Sequence, residues 1–168
     1  MRYVRHRLRA AFNTVTLAAL ALPATAALAQ TSIPLNARED LDTFYVNVDI
    51  AGVAPEDYLV DTGAGYMTIT DETLARSKDA GTATYLRQLE GRMADGSVLE
   101  VPVYRLSEIT IGGSCRLRNV EVAVLPGASR GLFGLSALRK MSPFQFSVDP
   151  PSLQLSNCGA TLADAGAE

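Results

Sequence analysis

After His6 the sequence contains no histidine. Arg2, Arg5, Arg7 and Arg9 precede an apolar segment from Ala10 to about Ala26, and Ala27-Leu28-Ala29 supplies small residues before Gln30. That order matches a secretory signal peptide over residues 1–29, whose removal near Ala29 takes His6 with it. No Ser-His-Asp or Cys-His hydrolase can be assembled from what remains. Cysteine is nearly as scarce. Cys115 and Cys158, with no histidine to join them, give no zinc site, and no metal or cofactor is expected. In an oxidising compartment they form one disulfide, or else they stay as two buried thiols. Closing a loop across 43 residues would contribute about 3–4 kcal/mol in the chain-entropy account. Basic charge is also short. The 15 Lys and Arg face 18 Asp and Glu, and without the four leader arginines 11 face 18, a net charge of −7. No basic patch is left to hold a phosphate backbone, so no nucleic-acid partner is expected.

The leader has a second reading, because about 20 apolar residues can span a bilayer. Asn13, Thr14, Thr16 and Pro23 weaken the segment as a span. Membrane association is expected only if this segment is retained. In both cases the folded part is exported, and a periplasmic location is expected after cleavage.

Residues 30–42 are polar and without period, and read as an N-terminal tail. From Thr43 the pattern changes. Phe44, Val46, Val48 and Ile50 alternate with Tyr45, Asn47 and Asp49, the period of a strand with one buried face. Residues 51–55 carry turn chemistry, and Tyr58-Leu59-Val60 reads as a strand buried on both faces that delivers Asp61 to the interior. A short helix is predicted over 71–76, capped by Thr70 or Asp71, followed by a polar loop over 77–84. Strands are predicted over 85–93 and 98–104 around a turn at Ala94-Asp95-Gly96-Ser97, where Asp-Gly signals a two-residue hairpin. Further strands fall at 106–111, 120–125, 144–148 and 152–156, with a helix over 136–140 and a disordered tail over 159–168. Short helices without a βαβ rhythm predict an all-β domain over 43–158, a small closed antiparallel barrel-like structure with one or two short helices. No internal repeat is present.

Asp61-Thr62-Gly63 is the chemical centre of this pattern. A carboxylate directly after three apolar strand residues is costly to bury without compensation. Gly63 permits a tight turn, and its amide and that of Gly65 can donate to the carboxylate. The Thr62 hydroxyl can lock the loop. The plainer reading is an Asp-Gly turn that merely ends a strand. Phosphoaspartate hydrolases place a second aspartate where this sequence has Gly63, and actin-like ATPases require a much longer chain.

Position brings further matches, in order. Leu59-Val60-Asp61-Thr62-Gly63-Ala64 resembles the active-site loop of the retropepsin-like aspartic proteases, in particular the exported bacterial single-domain members. Asp95 and Gly96 fall at that family's flap turn, and Ile109-Thr110-Ile111-Gly112-Gly113 with Asn119-Val120 resembles the strand pair after the flap. Leu132-Phe133-Gly134-Leu135-Ser136-Ala137-Leu138 resembles the element packed behind the catalytic loop. The resemblance implies an acid-protease fold and an aspartic endopeptidase acting on peptide or protein. It also implies a homodimer in which each copy contributes one Asp61, because the single Asp-Thr-Gly is half of that family's site. Two carboxylates that close cannot both ionise, so they share a proton. Thr62 would tie the two loops together, Gly63 and Ala64 would shape the loop, and Phe133 and Gly134 would support it. Gly96 would let the flap tip approach substrate. Alanine at 64 lacks the hydroxyl that often bonds the carboxylate in this superfamily, so the pH optimum would differ. A non-catalytic module that keeps the fold to bind a peptide or partner remains the alternative.

Overall fold

The computed structural model describes residues 30–38 and 42–158. The expected signal peptide over 1–29 and the expected tail over 159–168 lie outside the described residues.

The chain begins with β1 (Thr31–Pro34) and β2 (Asn36–Arg38), then β3 (Thr43–Ile50), β4 (Glu56–Val60) and the short β5 (Met67–Ile69). Helix α1 (Asp71–Asp79) leads to β6 (Ala83–Arg92), β7 (Val98–Ile111) and β8 (Cys115–Val124). The two-residue β9 (Leu132–Phe133), helix α2 (Leu135–Leu138) with a 3-10 turn after it, and the hairpin of β10 (Phe144–Val148) and β11 (Pro151–Leu155) complete it. The large sheet runs β2-β3-β4-β9-β5-β8-β7-β6, and β3 also pairs with β7. That extra pairing closes six strands, from β3 round to β7, into a ring. A smaller sheet, β1-β11-β10, packs alongside.

The predicted all-β closed architecture with short helices is the one observed. Its ladder is not wholly antiparallel, because β9 joins β4 in parallel and β5 joins β8 in parallel. β9 inserts between β4, which it meets in parallel, and β5, which it meets antiparallel, and so closes the sheet across the loop between those two strands.

The interior is filled from alternate positions, as a closed sheet requires. Val46, Val48 and Ile50 of β3 meet Leu106, Ile109 and Ile111 of β7 and Val120, Val122 and Val124 of β8, all essentially inaccessible. Tyr45 departs from the expected polar face: it is buried, with the Arg38 guanidinium over its ring at 4.6 Å. A cation over the ring covers the face that a two-period pattern leaves to water.

Of the stretch expected to be a tail, residues 31–38 are built into the sheets. β1 pairs with β11 and β2 with β3, while Ile33 and Leu35 are buried. Two apolar residues spaced two apart suffice, because Ile33 packs where Gly112 has no side chain. Helix α1 also exceeds its predicted end. Thr70 caps it by accepting from the Thr73 amide at 3.1 Å. Ser77 stays inside the helix because its hydroxyl donates back to the Thr73 carbonyl at 2.8 Å. The strands predicted at 98–104 and 106–111 are one strand, β7, which serves two hairpins in succession. Cys115 and Cys158 are joined in a disulfide, which ties the chain end after β11 to the start of β8.

Candidate active site

β4 ends at Val60, and the next amide, Asp61 N–H, donates to the Phe133 carbonyl at 3.2 Å. The β4–β9 ladder therefore runs one residue past the strand and fixes Asp61 itself. The chain then turns, with Ala64 N–H donating to the Asp61 carbonyl at 3.3 Å. From behind, Leu135 N–H donates to the Ala64 carbonyl at 2.9 Å, and Leu132 N–H donates to Thr68 Oγ1 at 3.0 Å. Met67 N–H donates to Ser136 Oγ at 2.8 Å, and Ser136 in turn donates to the Glu121 carbonyl. Residues 61–68 are thus held by a segment far away in sequence.

Glycine is required at the crossing points. A Cβ on Gly134 would strike the Tyr66 carbonyl and sit 2.9 Å from the Ala64 carbonyl oxygen. One on Gly131 would strike the Tyr58 ring and sit 2.9 Å from the Thr68 carbonyl oxygen. Phe133, between these glycines, is fully buried, which contributes roughly 2–3 kcal/mol. Tyr58 is also buried. Desolvation, with Glu56 nearby, raises its pKa well above the usual phenol range and keeps the hydroxyl protonated beneath the loop.

The Asp61 carboxylate accepts from the Gly63 amide at 2.9 Å, as expected. Among the described residues no such bond comes from Gly65, and the Thr62 hydroxyl has no partner. Asp61 is half-buried, and Thr62 and Gly63 are exposed. The expectation of an interior carboxylate is therefore corrected, as is that of a strand buried on both faces, because Leu59 and Val60 are only partly covered. The reason is the rim: β4 ends at Val60, and beyond Asp61 the chain turns at once into the exposed Thr62 and Gly63.

Asp61 opens onto a cleft of about 740 Å³, with Ala64 beside it on the floor, Leu125 and Leu132 in the wall, and Leu89 and Met93 overhead. The overhead residues belong to the hairpin of β6 and β7. Its tip is a three-residue loop over 94–96 rather than the expected two-residue one. Met93 N–H donates to the Ser97 carbonyl at 2.8 Å, and Gly96 (φ +86°) donates to the Met93 carbonyl at 3.0 Å. A left-handed residue is needed there, and glycine supplies it. Asp95 Oδ1 accepts from the Ser97 hydroxyl at 2.7 Å and the Ser97 amide at 2.9 Å. The hydroxyl bond first and the amide bond second lower the Asp95 pKa below its ordinary value.

Three residues that sequence reasoning missed meet at the base of this hairpin. Arg87 Nη2 donates to the Tyr66 hydroxyl at 2.9 Å and to Glu121 Oε2 at 2.7 Å. The bond to Glu121 first, then that to Tyr66, raises the arginine pKa and holds the guanidinium charged. Nothing in the residue pattern marks this cluster, because it depends on a bulge at Leu86 that shifts the register between Tyr85 and Arg87.

The predicted residues thus lie round one cleft: Asp61, Gly63 and Ala64 on its floor with Thr62 exposed in the same loop, Asp95 and Gly96 at the tip of the overhanging hairpin, Phe133 and Gly134 behind the loop. Cys115 and Cys158 do not join this cluster and serve as a staple. A comparison with curated proteins finds no match. The crystal structure of a retropepsin-like aspartic protease from Rickettsia conorii has the same fold, with a TM-score of 0.53 at 23% identity over 77% of this chain and 92% of that one. The family described as "gag-polyprotein putative aspartyl protease" matches residues 46–140, which run from β3 past the helix behind the Asp61 loop. With more than half of the sequence matched and the fold shared, the chain belongs to the retropepsin-like aspartic protease family.

Proposed function

We propose that the protein is an aspartic endopeptidase, active as a homodimer with one Asp61 from each copy. The observation that carries this reading is Asp61 held by the Phe133 and Gly63 bonds at the floor of a cleft roofed by a hairpin. The two carboxylates share one proton across a two-fold axis. The ionised one takes a proton from water as it attacks the peptide carbonyl; the protonated one donates to the carbonyl oxygen, and the roles then reverse to protonate the leaving amine. Thr62, exposed and without a partner among the described residues, is free to bond across the axis.

Pairing between copies requires an open edge, and the strand at 151–155 offers none. β11 lies between β1 and β10, so both of its edges are used. The outer edge of β10 has no partner among the described residues. It carries no charge over 144–148 and exposes Phe146 (39%) and Val148 (62%), the kind of edge that pairs with another chain. Phe146 packs edge-on against Phe44 at 5.1 Å, at the end of β3 where Tyr45 faces Leu59, close to Asp61. Pairing of β10 with β10 of a second copy is isologous and joins the interface to the catalytic strand. The disulfide fits an oxidising compartment, in keeping with export.

The test is digestion of a peptide library from acid to neutral pH with wild type and Asp61→Asn. Turnover should fall by roughly 10²–10⁴-fold in the variant, the scale of a lost general base, with the unfolding midpoint retained. Cleavage at the wild-type rate by Asp61→Asn would sink the protease reading and favour a peptide-binding module. Sedimentation showing only monomer at micromolar concentration would exclude the two-aspartate mechanism.

A further inference from the structure

The hairpin over the cleft is weakly attached. Among the described residues β6 is an edge strand that pairs only with β7, and most of its side chains lack cover. Below the bulge it is anchored: Ser107 N–H donates to the Thr82 carbonyl at 2.9 Å, and Tyr85 stacks edge-on with Tyr104 at 5.5 Å. Above the bulge, Arg87 supplies the hydrogen bonds from the β6 side chains to the barrel among the described residues. It grips two fixed points. Tyr66 directly follows the active-site loop, and its own carbonyl abuts Gly134. Glu121 lies on β8, and its carbonyl accepts from Ser136 of α2. The guanidinium also lies 6.0 Å from the Tyr66 ring centroid. The bulge at Leu86 rotates the strand by one position, the device by which a sheet redirects a side chain.

We propose that Arg87 is a positioning residue that latches the hairpin, through Tyr66 and Glu121, to the active-site loop and so governs how readily the hairpin closes over substrate. The inference rests on the protease reading for its kinetic consequence, but the latch itself is a structural element and is measurable without turnover. Substrate binding requires the closed hairpin, so loosening its base lowers the fraction competent to bind. The effect falls on KM, and kcat changes little.

Amide hydrogen exchange across residues 85–104, without substrate, compares wild type with Tyr66→Phe, Arg87→Gln and Arg87→Lys. Tyr66→Phe keeps the ring and removes only the hydroxyl. Exchange over 87–98 should accelerate roughly two- to five-fold in Tyr66→Phe and in Arg87→Gln, the scale of an exposed charged contact. Amides of 61–68 and the thermal midpoint should stay at wild-type values. KM should rise by a similar factor, and Arg87→Lys, which keeps a cationic donor, should recover part of both effects. The double variant should match Arg87→Gln alone, because losing the guanidinium already breaks the contact with the Tyr66 hydroxyl. Unchanged hairpin exchange in both single variants would overturn the proposal, as would equal acceleration on the floor and in the hairpin. Faster exchange confined to the hairpin, in a protein whose wild type cleaves nothing, would support the latch while removing the protease reading.

Discussion

The floor and the roof of the cleft differ in how they are held. On the floor, residues 61–68 are bonded backbone to backbone and backbone to side chain with residues 131–136, around the fully buried Phe133. The roof is a hairpin whose outer strand is an edge, whose tip is shaped by its own turn, and whose Val98 and Leu99 lie open to solvent. A carboxylate that activates water needs its position fixed within a fraction of an ångström, whereas the cover must open for a peptide to enter. On the proposed reading the molecule divides these duties by contact density, and local opening is expected to cost more at the floor than at the roof.

Glycine tests that division at both places. On the floor, Gly134→Ala places a methyl group against the Tyr66 and Ala64 carbonyls, which are backbone and cannot swing aside. The expected loss is about 3–4 kcal/mol of global stability, read from the denaturant midpoint, toward the upper end for single substitutions. On the roof, Gly96→Ala meets no atom within 4 Å, and only its φ of +86° is unfavourable. The strain there is about 1–2 kcal/mol, and because the tip opens locally the global midpoint should move by less than that. Equal midpoint shifts in the two variants would break the comparison.

Much of the floor was legible in the sequence, for reasons the structure makes plain. Asp61-Thr62-Gly63 and Phe133-Gly134 stand out because tight crossings admit few residue types, and the two segments bond directly. The strand of Phe44 to Ile50 was legible from its period. The roof was less so. The bulge at Leu86 is a one-residue slip that no side-chain type announces, so Arg87 read as an ordinary polar position. In β7, burial passes from Val101 and Val103 to Tyr104 and Leu106 and then to Ile109 and Ile111, which breaks the two-residue period and made one strand look like two. β1 and β2 escaped because, among the described residues, Ile33 and Leu35 alone are buried in a polar stretch. Burial of Asp61 was overestimated because local sequence says that apolar residues precede it, not that the strand ends there at the rim of the sheet.

The smallest expected effect belongs to the roof alone. Asp95 at the tip is fully exposed, and its carboxylate accepts both bonds from Ser97. Because these bonds favour the ionised form, the pKa in the folded turn is lower than in the unfolded chain. The sign follows: this contribution is fully present above the ordinary carboxyl pKa and is lost as pH falls through the lowered folded value. The Asp95 bonds do not reach the floor, so acid should loosen the tip without shifting, through the same transition, a floor amide such as that of Leu135, which bonds no carboxylate. Following the Ser97 amide resonance downward from neutral pH should show an inflection below the ordinary carboxyl value near 3.8, absent in Asp95→Asn. An inflection at or above that value would mean that the Ser97 bonds do not hold the carboxylate. A matching inflection in the Leu135 amide, which bonds the Ala64 carbonyl of the floor and no carboxylate, would mean that the tip and floor move as one unit, and the separation of roof from floor would fail at its most exposed point.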